Sequence, residues 1–319
     1  MTALESQVAL GRSIAEQRRR RGWTQPELAA MLGRPVAWVS QLERGLVPAG
    51  PVPVPGAAVG ARLPTGPPGG LSADAGRAEL VSALRLALAG SGRLPAGGRI
   101  LGAYSRAALA ARAADVWAAT SAGRYGDLAG LLSDLVPALE SAVRAAPEQQ
   151  RAGLCQLMSV SYQACSAALA RLGDHESALT AAGRAMAAAH RAGDVLGTAA
   201  SGYLQVCILL EARRHEEAEA VATAAADAVR LPAAEGNMDA IALRGALTLL
   251  RALIAARAGN VAAAEEQLGR ARVMAGRLSH AADSHGPGFG PDQVALYEMA
   301  VRIETAAVPR ASGAEGTGH

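Results

Sequence analysis

Apolar residues recur at three- and four-residue intervals through most of the chain, the period with which a helix turns one face inward. From about Leu101 to Val308 the pattern reads as helix, turn, helix, repeated. Each repeat is marked by a turn and, five positions later, a small or apolar residue. The markers are Gly123-Arg124-Tyr125 with Leu128, Gly173-Asp174-His175 with Ala178, Arg213-Arg214-His215 with Ala218, and Gly259-Asn260-Val261 with Ala264. Small or apolar residues stand four and seven positions further on: Leu132 and Leu135, Ala182 and Ala185, Ala222 and Ala225, Leu268 and Ala271. Paired antiparallel helices must approach closely at such positions, and four stacked hairpins predict a right-handed solenoid with a concave face.

The first 45 residues follow shorter periods. A first helix is predicted over about Val8 to Arg20, with Leu10 and Ile14 inward, ended by Gly22, after which Trp23 can close over a small core. Thr24 is the N-cap of a second helix, and Glu27 three residues on completes a capping box. Pro26 falls in the first turn, where its missing N–H costs little. Leu28, Ala29 and Leu32 form the buried face, Gly33 stops the helix, and Pro35 opens a third. Val39 and Leu42 then point inward, leaving Val36, Ala37, Ser40, Gln41 and Arg44 outward. Beyond Gly45, residues 46–70 hold seven prolines and six glycines, a linker composition. A short helix at about 73–89 carries Leu80, Leu84 and Leu88 on one stripe, and a further loop leads to the repeats. The resulting division is a head at 1–45, a linker with one helix at 46–98, helical repeats at 99–308 and a disordered tail at 309–319.

Composition adds constraints. Half of the 319 residues are apolar and only 3% aromatic, which suits a core of close-packed Ala and Leu helix faces. All 31 basic residues are Arg along the whole length, as in a high-GC genome. The net charge of +3 sits in residues 1–50, where seven Arg face four Glu, and the remainder is neutral. A basic cap on a neutral body suits a polyanionic partner for the N-terminus alone. Cys155, Cys165 and Cys207 lack metal-ligand spacing and read as reduced, buried thiols. The N-terminus lacks the basic-then-apolar order of a secretion signal, and the apolar run at Val206–Leu210 is too short for a bilayer. A cytoplasmic protein with no membrane partner is expected.

Two short helices broken by a glycine turn have the geometry that places one helix in a DNA major groove. The segment resembles the Cro/repressor-type (XRE) helix-turn-helix family through Gly22-Trp23-Thr24-Gln25, Glu27-Leu28-Ala29, Leu32-Gly33 and Trp38-Val39-Ser40-Gln41-Leu42-Glu43-Arg44-Gly45. The resemblance implies that Gln25 binds backbone phosphate and that Val36, Ala37 and Gln41 meet base edges. Gln41 can pair with an adenine edge, and Val36 and Ala37 can touch thymine methyls. Ser40, Arg44 and the arginine run from Arg18 to Arg21 would position the backbone, and Trp38 would do either or pack locally.

The remainder resembles regulators of high-GC actinobacteria that join such a head to tetratricopeptide repeats. Gly123-Arg124-Tyr125 with Leu128, Gly173-Asp174, Arg191-Ala192-Gly193-Asp194 and Phe289-Gly290-Pro291 with Val294-Ala295-Leu296 carry the likeness, Gln293 replacing the usual Asn. The marker spacings of 50, 40 and 46 exceed the roughly 34 residues of that repeat.

On this reading the chain is an all-α protein, a small helix-turn-helix head plus an α-solenoid of tetratricopeptide-like hairpins. It binds double-stranded DNA as a homodimer, while the repeats take a peptide, small-molecule or protein effector. Tyr162, Gln163, Tyr203 and Arg244, with Gln156 and Gln205, are the inner-helix polar candidates for the effector. His175 and His215 stand at equivalent turns and read as exposed histidines, not a metal pair, and His280 and His285 have no ligand cluster nearby. Neither a catalytic constellation nor a cofactor motif is present, so no enzyme activity, metal or cofactor is expected. The competing reading is a protein- or peptide-binding scaffold with a vestigial head.

Overall fold

The computed structural model describes residues 15, 18–19, 22–32, 36–44, 70–89, 105–121, 123–278 and 289–307. Thirteen helices and no strand are found among them, so the fold is all-α. Leu10, Ile14, Gly33, Pro35, Gly45, the Pro/Gly stretch before residue 70, His280, His285 and the tail all lie outside the described residues. Two compact units are present. One runs from residue 59 to Leu231, and the other joins residues 2–58 to the chain from Pro232 onward.

The first unit contains α3 (Gly70–Ala89), α4 (Arg106–Ser121), α5 (Tyr125–Ala145), α6 (Glu148–Arg171), α7 (His175–Ala192), α8 (Val195–Glu211) and α9 (His215–Ala228). Helices α4–α5, α6–α7 and α8–α9 pair as hairpins, while α4 touches α6 and α6 touches α8. The marker turns set these hairpins. Gly123 (φ +69°) and Gly173 (φ +83°) take the left-handed conformation that stops a helix. Asp174 and Asp194 then cap α7 and α8 by accepting from the backbone N–H of Ser177 and Gly197. Every marker residue and both of its followers are buried in the three hairpins of this unit. On α7 the inward face is almost wholly alanine (Ala178, Ala181, Ala182, Ala185, Ala188 and Ala189, all 0% exposed), so close backbone approach replaces large side chains.

Arg213 is the non-glycine residue among these turns, held at φ +59°. An L side chain there costs about 1 kcal/mol, partly offset because glycine loosens the unfolded chain. Arg213→Gly is therefore expected to stabilise the first unit by about 0.5 kcal/mol. A raised urea midpoint at unchanged m-value checks it; an unchanged or lowered midpoint would contradict the strain argument.

Helix α3 begins three residues earlier than the sequence pattern predicts and does not behave as linker. Leu84, Ala87 and Leu88 enter the core of the first unit, where α3 packs on α5 and α6. Arg85 also reaches α7, donating to Asp174 at 2.7 Å. Periodicity revealed the stripe but not which body it would cover; the helix of residues 70–89 packs within the first unit.

Gln163, read as an effector contact, lies inside the packing. Its amide nitrogen donates to the Gly197 carbonyl at 3.2 Å and the Ser201 hydroxyl at 3.0 Å, joining α6 to α8. Tyr203 is also buried, and burial first of all pushes the Cys165 and Cys207 thiols up to about 12. His175 and His215 are half-buried instead of exposed, because each turn folds against its neighbour: His175 Nε2 lies 3.3 Å from Glu211.

The second unit holds α11 (Met238–Arg257), α12 (Val261–Ala275) and α13 (Pro291–Ala307), together with the head. A short helix, α10 (Arg230–Ala234), lies at the division between units. Gly259 (φ +75°) turns α11 into α12, Asn237 and Asn260 cap them, and Ala264, Leu268 and Ala271 are buried as the marker pattern requires. Helix α13 closes this hairpin as a single helix, tied by Arg257–Glu304 at 3.4 Å and Arg272–Glu298 at 2.5 Å. Phe289, just before it, is fully buried against Gly245 of α11.

Candidate nucleic-acid interface

Ala15, Arg18 and Arg19 are helical, and Gly22 (φ +72°) donates to the Arg19 carbonyl at 2.9 Å to end that turn. The next helix, α1 (Gln25–Leu32), starts at a reciprocal cap. The Thr24 N–H donates to the Glu27 carboxylate at 2.7 Å, and the Glu27 N–H donates to the Thr24 hydroxyl at 3.3 Å. Leu28 and Ala29 of α1 pack with Val39 of α2 (Val36–Glu43) under a half-buried Trp23. Polar contacts add to this packing in fixing the angle between the two helices.

A buried ion pair supplies that constraint. Arg18 Nε donates to Glu43 Oε1 at 2.6 Å, and a second guanidinium nitrogen donates to Oε2 at 3.0 Å. A third donates to the Trp23 carbonyl at 2.6 Å, and Gln25 Nε2 reaches Glu43 Oε2 at 2.8 Å. One carboxylate therefore binds the helical segment before the turn, α1 and α2 together. Burial pushes the Glu43 carboxyl up, but the Arg18 and Gln25 hydrogen bonds and the charges of Arg18 and Arg19 outweigh it, leaving it below the ordinary glutamate range.

Arg18 and Gln25, read as phosphate contacts, are thus engaged inside the head. Any action of Arg18 on DNA runs through the orientation of α2, while Gln25 keeps a second amide N–H. The outward face of α2 is otherwise as its spacing predicts. Val36 is 43% exposed, Ala37, Gln41 and Arg44 are exposed, and Ser40 is half-buried. Positions 36, 37, 40, 41 and 44 share one side of a helix. The Trp38 side chain lies outside the described residues. Exposed Arg19 and Arg44 rim a cavity of about 270 Å³ that also contacts Ala15, Gln25, Ser40 and Glu43. Two cations beside a recess at the start of α1 and end of α2 can hold phosphate oxygens.

The role of Glu43 was missed in the sequence, where it stood only as part of a motif. A signal was present: Glu43 is four residues after Val39 and Arg18 three after Ala15, each on an inward face. A polar residue in such a register needs a buried partner.

The effector candidates are not brought together in one place. Tyr162 donates to Glu140 at 3.2 Å beside an open cleft, Gln163 and Tyr203 are interior, and Arg244 is half-buried on α11 in the other unit. Gln156 is exposed and Gln205 half-buried. Among the described residues no group of three His, Cys, Asp or Glu could hold a metal ion, and no helix is long and apolar enough to cross a membrane.

A family model described as a helix-turn-helix domain matches residues 9–61, running past the boundary at Gly45. No curated protein and no solved structure matches. With the cap of α1 and the exposed face of α2 described, residues 9–61 carry a helix-turn-helix DNA-binding domain.

Proposed function

We propose that this chain is a sequence-specific transcription regulator of the Cro/repressor (XRE) type, whose tetratricopeptide-like repeats sense an effector or mediate assembly. The observation that carries the reading is α2, which turns Val39 and Glu43 inward and presents Val36, Ala37, Gln41 and Arg44 outward. Inserted in a major groove, that face offers one amide for an adenine edge and two small apolar groups for thymine methyls. Two such heads in a homodimer would read half-sites about one helical turn apart. An effector at the repeats would act by changing that spacing.

Binding of the full chain to duplex from upstream of its own gene, against random duplex across a salt series, tests the reading. A steep salt dependence with preference for the upstream fragment supports it; equal, weak binding to both favours the scaffold. Gln41→Ala is expected to cost about 1–3 kcal/mol on the preferred site, with little change on random duplex. Equal losses on both would remove base reading from Gln41.

A further inference from the structure

Helices α5, α6 and α7 enclose a cleft of about 600 Å³. Its floor is apolar: Met158 is 2% and Tyr162 4% exposed. Its polar groups are strongly biased in sign, since Arg144, Arg184 and Arg191 line it against a single carboxylate, Glu140. That carboxylate already accepts from the Tyr162 hydroxyl. Burial, then the charge of Glu140, pushes the Tyr162 phenol up to about 12, so it stays neutral and cannot answer the positive charge.

The three guanidiniums are held differently. Arg184 donates to the Leu88 carbonyl at the end of α3 and stands 6.0 Å from the centre of the Tyr162 ring, so it is fixed in place. Arg144 and Arg191 are exposed at the rim, and among the described residues neither has a hydrogen-bond or ion-pair partner. Elsewhere in the same unit Arg85, Arg112, Arg124 and Arg214 each hold a carboxylate. Partnerless cations lining one cleft repel, and an anion held by both relieves this with forked, charge-assisted hydrogen bonds.

We infer that this cleft binds a small organic anion: its carboxylate or phosphate lies between Arg144 and Arg191, and its apolar body lies on Met158 and the Tyr162 ring. The cleft's volume is within the span of small-ligand sites, roughly 300–1,000 Å³. A divalent cation or an amine is disfavoured there by the guanidiniums. The same chemistry is presented by a free organic acid and by the C-terminal residue of an apolar peptide. As a statement about an effector the inference rests on the sensing role proposed above; as a statement about binding it stands on the cleft alone.

The test is calorimetric titration of the full chain with octanoate, octyl phosphate, octylammonium and a trileucine peptide with free or amidated C-terminus. Octanoate, octyl phosphate or the free-acid peptide should bind, and octylammonium and the amidated peptide should not. The tighter of octanoate and free-acid peptide identifies the source. Arg144→Glu and Arg191→Glu should each weaken binding at least tenfold with helical circular dichroism unchanged, as expected for exposed side chains. Ala187→Trp, which fills the cleft from an exposed position on α7, should weaken it independently. Failure of every anion to bind, equal binding of octylammonium, or binding unchanged in both Arg variants would overturn the inference. DNA affinity is measured separately: an anion that occupies the cleft without changing it would end the sensing role and leave the site.

Discussion

Glu43→Ala is expected to destabilise the head by about 3 kcal/mol and to abolish specific DNA binding. Arg18 and Glu43 are both nearly buried, with side chains 10% and 6% exposed, so removing one leaves the other as an uncompensated charge. The Gln25 amide loses its acceptor at the same time. Glu43→Gln keeps an acceptor and should cost roughly half as much, whereas replacing both charges together, Arg18→Met with Glu43→Leu, should be far milder than either alone. Hydrogen exchange resolves this by region. Peptides covering residues 22–44 should lose protection while those of α6–α9 keep theirs; unchanged protection in the head would refute the structural role of Glu43. The pair also makes the head acid-sensitive. The Glu43 carboxyl is held below its ordinary value of 4.5, so its stabilisation is complete above that pH. It is lost as pH falls through the lowered value, and Glu43→Gln should flatten that acid transition.

Gly245→Val should destabilise the second unit by about 2 kcal/mol. A Cβ at residue 245 would stand 2.2 Å from two ring carbons of the fully buried Phe289. Overpacking of this kind costs about 1–3 kcal/mol, and removing a mid-helix glycine offsets only part of it. Urea unfolding gives the magnitude. Rescue gives the mechanism, because in Phe289→Ala the ring is gone and the added valine should no longer be harmful. A valine equally damaging in that background would show that the clash is not the cause.

These two sites mark the limit of what the chain shows before folding. Turn glycines and marker residues were readable because their causes are local: Gly123, Gly173 and Gly259 take positive φ, and one helix face follows from a 3.6-residue period. The exposed face of α2 was readable for the same reason. Gln163 was not, since polar side chains on an inner helix can face a ligand or a neighbouring helix with the same periodicity. It meets Gly197 and Ser201, more than 30 residues away. Tyr162, its chain neighbour, reaches an open cleft instead. The cations of that cleft come from two helices and showed no common pattern.

The sequence by itself determined an all-α chain, the places where its hairpins turn, the cap that starts α1 and the side chains α2 presents. Each depends on residues within about one or two helical turns of one another. Tertiary structure alone decided that Glu43 gathers Arg18 and Gln25, that α3 packs within the first unit, that Phe289 closes on Gly245, and that Arg144 and Arg191 share a cleft. Those pairings depend on which helix faces meet. A helix's period states that it has an inner face and leaves open what will cover it.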